Sequence, residues 1–469
     1  MQKQCNIGFL LTAEHSCYNA AFGLAHALQE RGHKAMFLVN DESIFVQYVN
    51  LNGFKVVKMA PIAESQATKK NRKKRFRVWE RLTEQGPSVL LKQDRLAALI
   101  EQNSLDLCFL DDVRDDVNLA SVVLARMGVP TILLSYTFAS GFQSEYPPVF
   151  SSIVPPDKTK PRFGLEIVNT LLWVWTVCTK GRPYSYDSFD YVKQSFEKLL
   201  DQIRGFSFER ELRQFGWAST WSEWKRRPLI PQIVFGHRTL DWPAIVANPG
   251  RCYFGTADLF RKNSDFDWSI VESDKPIVYC SISTARGFEK TRVSTSPGAA
   301  QIVDLSEKKF RMAKRYLEVI LDCFSQRKDW QLIIACGPFY EALRNGVRAP
   351  NIHMFERTPQ LAVLEKVDLA ITWGGAGTVR ECINFGVPML VFPAWTDQFG
   401  NAARVVARNV GMRGNILDFT PAQMIEMVER VLTDETIRSA VGDMRMQCNS
   451  EHEIQGVVDF VRCHTALAL

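Results

Sequence analysis

Short apolar runs alternate with longer amphipathic stretches from the start of the chain. Residues 6–11 (NIGFLL) form an apolar run of strand length, whereas the polar residues 12–16 predict a loop. Residues 18–31 are rich in Ala and Leu and predict a helix that ends at Gly32, and residues 35–39 predict the next strand. A strand, a helix and a strand of these lengths make a βαβ unit, which requires a parallel sheet.

The same alternation returns further along the chain. Residues 105–110, 117–127 and 129–134 predict a strand, a helix and a strand that complete a first Rossmann-like domain. A less regular stretch rich in Phe, Tyr and Trp follows at 135–216. The Gly, Pro and Asn residues at 234–256 then predict the crossing between two domains.

A second α/β series follows this crossing. Its predicted strands are 276–282, 331–335, 351–354, 369–372 and 388–392, and its predicted helices are 306–326, 361–366, 378–385 and 402–408. We therefore expect an α/β protein with two Rossmann-like, doubly wound domains that face each other across a cleft. The predicted units are an N-terminal domain at 1–240, a linker at 241–270, a C-terminal domain at 271–448 and a helix at 449–469 that returns toward the first domain.

Length and composition agree with this division. The 469 residues suit two domains of roughly 200 residues each. Hydrophobic residues make up 46% and charged residues 23%, which allows each domain an ordinary core. The net charge of +6 is too small to indicate a nucleic-acid partner. The eleven cysteines follow no zinc-ligand spacing and often fall in apolar runs, which indicates reduced core residues in a cytoplasmic protein.

Three segments bear on contact with a membrane. The first residues, MQKQCNIGFLLTAEHS, lack the pattern of a signal peptide. The apolar stretch 171–178 is well short of the ~20 residues that span a bilayer. Seven basic residues are concentrated at 69–77, where a solvated loop or helix face is the commoner explanation. Peripheral contact with a membrane surface, or with an acidic acceptor, is the alternative for this run.

A glycine-rich turn lies between a predicted strand and a predicted helix. In residues 371–381 (ITWGGAGTVRE) the strand ends, three glycines follow and the helix begins near Thr378. Glycines let the backbone approach a bound group, and the free N–H groups of a helix start attract phosphate. The turn has neither the Walker pattern nor GxGxxG. Taken alone, such a turn is more often explained by tight packing.

The residues around this turn change that balance. Residues 359–405 (PQLAVLEKVDLAITWGGAGTVRECINFGVPMLVFPAWTDQFGNAARV) resemble the donor-sugar signature of the family 1 glycosyltransferases. That family includes plant secondary-product, bacterial macrolide and animal glucuronosyl enzymes. Residues 278–284, 240–243 and 253–255 and the N-terminal strand, loop and helix are also similar to the family.

The resemblance implies a fold, a reaction and its substrates. The fold is GT-B, two Rossmann-like domains facing each other across a cleft. The reaction is an inverting, metal-independent transfer of a hexose from a nucleotide diphosphate sugar. A UDP-sugar is the first candidate donor, with TDP as the alternative. The acceptor is a small apolar or aromatic molecule with a hydroxyl group, and no cofactor is needed.

The resemblance also implies a set of donor-binding residues, each at the position of a family motif. They are Ser281, Ser283 and Thr284 beside the nucleotide, Gln360 beside the ribose and base, Trp373, Gly375, Gly377 and Thr378 at the diphosphate, Glu381 at the ribose hydroxyls, and Asp397 and Gln398 at the sugar hydroxyls. No residue is assigned to a metal ion.

Two residues depart from the family pattern. Trp373 stands where the family usually has a His that helps to hold a phosphate, and its indole offers one N–H donor and no charge. Arg357 stands where many relatives have an aromatic residue that stacks on the base, a role that a planar guanidinium can also fill. Both changes leave the identity of the donor open.

The resemblance places the catalytic pair in the first domain. An inverting transfer needs a base that takes the proton of the attacking hydroxyl. His15 lies in the predicted loop after the first strand, where the family keeps its catalytic His, and imidazole suits this task near pH 7. Asp111 ends the strand LCFLD and matches the family's partner acid, with Asp112 as the alternative.

Several aromatic residues of the first domain are candidates for the wall of an acceptor pocket, although such residues more often belong to the core. They are Tyr136, Phe138, Phe142, Trp173 and Trp175.

Two other functions remain open from the sequence. Trp373 favours a non-catalytic GT-B homologue that assists another transferase, whereas His15 with Asp111 argues against it. A sugar-nucleotide epimerase is also built on two doubly wound domains, but the family-type donor string disfavours that function.

Overall fold

The computed structural model folds the chain into two parallel α/β domains. It describes residues 4–12, 14–40, 43–59, 93–111, 120–121, 123–125, 127–138, 230–242, 249–261, 264–272, 274–282, 299–346, 349–395, 397–465 and 467, without the side chains of 93–95 and 299–308. The segments 69–77 and 171–178, together with Asp112, Ser283 and Thr284, lie outside the described residues.

The first domain is built on a seven-stranded sheet whose neighbouring strands are all parallel. Its strands are β1 (Asn6–Leu10), β2 (Lys34–Asn40), β3 (Lys55–Met59), β4 (Leu107–Asp111), β5 (Thr131–Ser135), β6 (Gln232–Val234) and β7 (Arg251–Tyr253), and its helices are α1 (His15–Glu30), α2 (Phe45–Leu51) and α3 (Gln93–Gln102). The strand order is β3-β2-β1-β4-β5-β6-β7. β4 and β5 are buried along their whole length, as expected for a parallel sheet that is covered on both faces.

The second domain is built on a six-stranded parallel sheet. Its strands are β8 (Ile277–Ser281), β9 (Gln331–Ala335), β10 (Ile352–Phe355), β11 (Leu369–Thr372), β12 (Met389–Val391) and β13 (Gly411–Arg413). The helices after β8 are α4 (Ala299–Gln326), α5 (Tyr340–Leu343), α6 (Gln360–Leu364), α7 (Ala376–Phe385), α8 (Gln398–Ala407), α9 (Pro421–Thr433), α10 (Glu435–Met446) and α11 (Ser450–Thr465). Single 3₁₀ turns lie at Ala257–Phe260, Trp268–Ile270, Gly337–Phe339 and Arg344–Gly346.

Both sheets have the strand order of a doubly wound fold. The order reverses between β1 and β4 in the first sheet and between β8 and β11 in the second. The predicted architecture of two doubly wound α/β domains is therefore confirmed. The second sheet runs in the order β10-β9-β8-β11-β12-β13.

Several helices begin earlier than the sequence predicted. α1 begins at His15, α7 at Ala376 and α8 at Gln398, so the predicted starts at 18, 378 and 402 were wrong by two to four residues. The first turns of these helices are polar or glycine-rich and carry no apolar periodicity. They lie at the carboxyl ends of the preceding strands, where a parallel α/β sheet presents polar groups rather than core residues.

The boundary between the domains also differs from the prediction. β7 lies inside the predicted linker at 241–270, yet it is the edge strand of the first sheet. A strand of three residues between glycines and prolines gives no apolar run from which it could be predicted. α11 packs Ile454, Val457 and Val461 into the core of the first sheet, so the chain returns to the first domain after β13 and α10.

The core chemistry agrees with the expectation drawn from the cysteines. The buried free cysteines of the described chain are Cys5, Cys17, Cys108, Cys280, Cys323, Cys336 and Cys382. Burial raises the pKa of the Cys108 thiol to about 12, which keeps it protonated. In the part of the chain that the structure describes, no helix is both long and apolar enough to cross a bilayer.

Candidate donor and catalytic site

The predicted site residues lie at the carboxyl edges of the two sheets. A doubly wound sheet binds its ligand outside the carboxyl ends of the strands at which the strand order reverses. In the first sheet these strands are β1 and β4, and Asp111 ends β4. In the second sheet they are β8 and β11, whose last residues, Ser281 and Thr372, lie opposite each other in register. Each sheet thus contributes one half of a candidate site.

The glycine-rich turn connects β11 to α7. Gly374 has a φ of +81°, and a Cβ there would lie 2.5 Å from Cγ1 of Val391, so the turn requires glycine. Its carbonyl accepts a hydrogen bond from Nδ2 of Asn401 (2.9 Å), which ties the turn to α8. A Cβ at Gly375 or Gly377 would meet open space, and no side chain caps the start of α7. The first backbone N–H groups of α7 therefore face an opening suited to an anion.

Three residues assigned to the donor lie together beside this turn. Nε2 of Gln360 donates to Oγ1 of Thr378 (3.3 Å) and to Oε2 of Glu381. Oε1 of Gln360 accepts from the hydroxyl of Tyr279 (3.1 Å), which also lies 2.8 Å from Oγ1 of Thr358. Residues from β8, α6 and α7 thus form one polar cluster next to the glycines.

Arg261 joins this cluster and was not anticipated from the sequence. Its Nη1 lies 3.0 Å from Oε1 of Glu381 and 3.2 Å from Oδ1 of Asp258. Burial and the Asp258 carboxylate raise the pKa of Glu381, whereas the positive charge of Arg261 opposes this rise. Arg261 and Glu381 are 120 positions apart, and no motif around either residue signals the contact.

α7 is anchored to the first domain by a buried ion pair. Nε of Arg380 lies 2.6 Å from Oδ2 of Asp258, and Nη1 of Arg380 donates to the carbonyl of Phe235 (3.0 Å). Burial alone would raise the pKa of Asp258, but the guanidinium groups of Arg380 and Arg261 hold it below its usual range. The helix that starts at the glycine turn is therefore fixed to the end of the first sheet by charges that water does not reach.

α8 is anchored in a similar way. Nη2 of Arg404 lies 2.8 Å from Oδ1 of the buried Asp241, and the Arg404 guanidinium lies 4.6 Å from the ring centroid of Phe138. Tyr136 is also buried, with its ring 5.2 Å from that of Phe235. Two of the aromatic residues considered for the acceptor pocket are thus core residues, and Phe142, Trp173 and Trp175 lie outside the described residues.

Asp397 and Gln398 lie where α8 begins, next to the glycine turn. Oε1 of the buried Gln398 accepts from the backbone N–H groups of Ala394 and Trp395 (2.9 and 3.1 Å). Oδ2 of the half-buried Asp397 accepts from Nδ2 of Asn401 (2.8 Å). The oxygen of Gln398 therefore holds the loop after β12, which leaves Asp397 as the more accessible group of the pair.

Trp373 lies in the core of the second domain. Its side chain is 0% exposed, and its ring packs against Trp395 (centroids 4.8 Å apart) and Tyr316 (5.8 Å). The expectation that its indole takes the place of the family His at the phosphate is therefore not supported by this geometry. An indole buries far more apolar area than an imidazole, which favours the core over the open edge of the sheet.

The predicted catalytic pair lies at the carboxyl edge of the first sheet. His15 is the first residue of α1 rather than part of a loop, and its ring contacts Phe45 and Tyr48 (centroids 5.0 and 4.9 Å). The carboxylate of the fully buried Asp111 accepts from the backbone N–H of Thr12 and from its Oγ1 (3.0 Å). Thr12 thus fixes the acid between β1 and α1, three positions before His15.

The donor-side and base-side residues approach each other at α2. Burial raises the pKa of Tyr48, and the positive charges of Arg261 and Arg357 act against that rise. Both arginines therefore lie within electrostatic reach of a ring that contacts His15. Arg357 itself is exposed at the end of β10, where the base of a nucleotide was expected.

Comparison with solved structures identifies the fold. The glycosyltransferase of kitacinnamycin matches with a TM-score of 0.65 at 17% identity, over 99% of this chain and 100% of that one. The glycosyltransferase VinC, solved with dTDP, matches with a TM-score of 0.59 at 14% identity, over 98% and 100%. The chain has the GT-B fold.

Comparison of sequences points to the same group of proteins. Residues 332–462 match the family described as "Erythromycin biosynthesis protein CIII-like, C-terminal domain". The NDP-glycosyltransferase YjiC of Bacillus subtilis is 32% identical over 263 residues, 56% of this chain and 60% of that one. The chain spans about half the length of the curated relatives it matches. The resemblance to family 1 glycosyltransferases is confirmed at this level.

Proposed function

We propose that this protein is an inverting glycosyltransferase that moves a hexose from a nucleotide diphosphate sugar to a hydroxyl of a small apolar or aromatic acceptor. One observation carries the proposal. Gln360, Thr378 and Glu381 form a single polar cluster beside a glycine turn that opens onto the start of α7. A helix start with accessible N–H groups suits the diphosphate, and neighbouring carboxylate and amide groups suit the ribose.

The donor in this proposal is bound by the second domain. The diphosphate lies at the N-terminus of α7, over Gly375 and Gly377. Glu381 accepts from the ribose hydroxyls, and Asp397 accepts from the hydroxyls of the sugar. The ribose of UDP offers two hydroxyls to Glu381 and the deoxyribose of TDP only one, which makes a UDP-sugar the first candidate.

The transfer itself is a single displacement. His15 takes the proton of the acceptor hydroxyl while that oxygen attacks the anomeric carbon. The bond between the anomeric carbon and the diphosphate oxygen breaks, the nucleotide diphosphate leaves and the configuration inverts. Asp111 orients the imidazole and balances the imidazolium charge. The N–H groups of α7 carry the charge that develops on the leaving diphosphate, so the proposal requires no metal ion.

Thermal stability with added nucleotides tests the donor half of this proposal. A ligand present at about 100 times its dissociation constant stabilises a protein by roughly 2.7 kcal/mol. We expect a clear rise of the melting temperature with UDP, a smaller rise with TDP and none with GDP. If none of the three nucleotides changes the melting temperature, the donor site is wrongly assigned.

Trp373 keeps a second function in consideration, that of a non-catalytic GT-B homologue which assists another transferase. Its burial leaves the glycine turn without the side chain that relatives place at the phosphate.

The two functions differ in turnover. An enzyme releases UDP from a UDP-sugar only when an acceptor is added, and it loses this release in a His15→Ala variant that still binds UDP. A non-catalytic homologue binds UDP and shows no acceptor-dependent release in either form. Release of UDP without any acceptor would instead point to hydrolysis or to an epimerase.

A further inference from the structure

The long helix α4 extends past the carboxyl edge of the second sheet. Its 28 residues span about 42 Å at 1.5 Å per residue, whereas the five residues of β9 span about 17 Å. α4 ends shortly before β9 begins, at the amino edge of the sheet. Its first half therefore rises above the strand ends, and Phe310 packs there against Phe339, which follows β9 (centroids 4.5 Å apart).

Lys309 lies on this part of α4, and its side chain contacts the loop that follows β12. Its Nζ is 5.1 Å from the ring centroid of Trp395. The Trp395 ring packs in turn on Trp373 (4.8 Å), the residue before the glycines. The backbone N–H of Trp395 donates to Oε1 of Gln398 (3.1 Å). Lys309 thus contacts the loop that follows β12, at the carboxyl edge of the second sheet, where α8 and the glycine turn also lie.

Lys309 lies in an environment that disfavours its charged form. The side chain is half-buried, and this burial lowers the pKa of Lys309. Lys314 on the same helix forms an ion pair with Glu318 (3.1 Å), but among the described residues no carboxylate forms an ion pair with Lys309. Contact with an indole face replaces only part of the hydration that a buried ammonium loses. A bound anion beside Trp395 would stabilise the ammonium group.

We propose that Lys309 contacts the terminal phosphate of the nucleotide diphosphate and supplies the positive charge that Trp373 does not. This inference rests on the proposed donor site. It follows from the position of Lys309 above the strand ends, its contact with Trp395 and the lack of an acidic partner in the described chain. The loop that carries Trp395 also carries Asp397, so Lys309 faces the side of the site where the diphosphate meets the sugar.

Binding of diphosphates and monophosphates to a charge-removing variant tests this assignment. Titration calorimetry would compare UDP with UMP, and TDP with TMP, on the wild type and on Lys309→Met. We expect Lys309→Met to weaken diphosphate binding about 10-fold or more, as for a lost hydrogen bond to a charged group. Binding of the monophosphates, which lack the terminal phosphate, should be unchanged. Lys309→Arg keeps the charge and should keep most of the diphosphate affinity.

Lys366→Met is the matched control. Its Nζ lies 5.1 Å from the ring centroid of Trp268, the same distance as in the Lys309 contact, so it removes an equal charge and an equal ring contact elsewhere. It should bind every nucleotide as the wild type does. If Lys309→Met binds diphosphates as tightly as the wild type, or weakens monophosphates equally, the assignment of Lys309 is wrong although the donor site stands. If the wild type binds neither UDP nor TDP, the proposed function itself fails.

Discussion

Nη1 of Arg261 lies 3.0 Å from Oε1 of Glu381, which joins the end of the first domain to the helix that follows the glycine turn. The other oxygen of this carboxylate accepts from Gln360. Each carboxylate oxygen has a second lone pair, so Glu381 can accept a hydroxyl group while it keeps both partners. Arg261 thus orients the group proposed to hold the ribose and favours its ionised form.

Replacing Glu381 by Gln separates binding from stability. The change removes the acceptor proposed for the ribose hydroxyls, and we expect UDP affinity to fall about 10-fold or more, measured by calorimetry. Folding should be affected less, because Arg261 keeps Asp258 as a partner and because the repulsion between the two carboxylates is lost. We therefore expect the unfolding free energy to change by no more than about 1 kcal/mol.

Glu453→Gln is the control for this prediction. The Glu453 carboxylate accepts from the backbone N–H and the hydroxyl of Thr256 (both 2.8 Å), and burial raises its pKa, as it does for Glu381. This residue lies on α11, away from the glycine turn, so UDP affinity should stay unchanged. Equal affinity in Glu381→Gln and the wild type would remove Glu381 from the donor site.

Removal of the Asp258 carboxylate should break the buried ion pair that anchors α7 to the first domain. Asp258→Ala leaves the buried guanidinium of Arg380 without its acid partner and removes one of the two partners of Arg261. Loss of one partner of a buried ion pair costs about 3–5 kcal/mol. Urea denaturation should show a loss of this size in the transition that unfolds the second domain.

An exposed ion pair provides the comparison. Asp459 and Arg462 lie 3.6 Å apart on α11 with both side chains largely in water, so Asp459→Ala should cost less than about 1 kcal/mol. If Asp258→Ala costs no more than Asp459→Ala, water or another acid compensates the two arginines, and the ion pair does not anchor α7.

The sheets and the glycine turn were predictable because local sequence decides them. β11 matches its predicted bounds, since a parallel strand that is buried on both faces appears as a continuous apolar run. Gly374 is fixed by a positive φ and by the nearness of Val391, a requirement that only glycine meets. The cluster of Gln360, Thr378 and Glu381 was implied by the family motif and lies together in the fold.

The charges that complete the site were not predictable in this way. Asp258 and Arg261 lie in a passage expected to be a linker, and their partners Arg380 and Glu381 follow about 120 positions later. Nothing in a local pattern reports such pairs. Trp373 shows a different limit, because its place in the motif implied a ligand contact, whereas its large apolar ring lies in the core of the second domain.

The buried His237 should make stability depend on pH. Its Nε2 lies 3.3 Å from the carbonyl of Arg380, its Nδ1 faces Sγ of Cys448 (3.4 Å), and burial lowers its pKa to about 4. The unfolded chain binds the proton near pH 6.5, before the native state does. The contribution of His237 to the free energy of unfolding is therefore fully present above about pH 6.5. It falls by roughly 1.4 kcal/mol per pH unit between about pH 6.5 and pH 4.

Comparing the wild type with a His237 variant separates this effect from that of the other titrating groups. We would compare urea denaturation of the wild type and of His237→Gln at pH 7 and pH 5. Gln keeps a donor for the Arg380 carbonyl and does not titrate, so the variant should be less stable at pH 7. Its deficit relative to the wild type should shrink by about 2 kcal/mol at pH 5. A constant deficit at both pH values would mean that His237 has the same pKa in the native and the unfolded state.

His15 should act in the transfer step and not in donor binding. Removing a general base costs about 10²- to 10⁴-fold in rate, so His15→Ala should lose that factor in kcat for UDP release with a phenolic acceptor chosen from a panel. UDP affinity should remain that of the wild type, because the proposed donor contacts lie in the second domain.

His26→Ala is the control for this prediction. His26 lies on the same helix with its ring against Phe54 (4.4 Å), and the variant should keep full activity. Thr12→Val removes only the hydroxyl that holds Asp111, and its loss should fall between these two variants. Full activity in His15→Ala would move the base elsewhere and leave His15 as a packing partner of Phe45 and Tyr48.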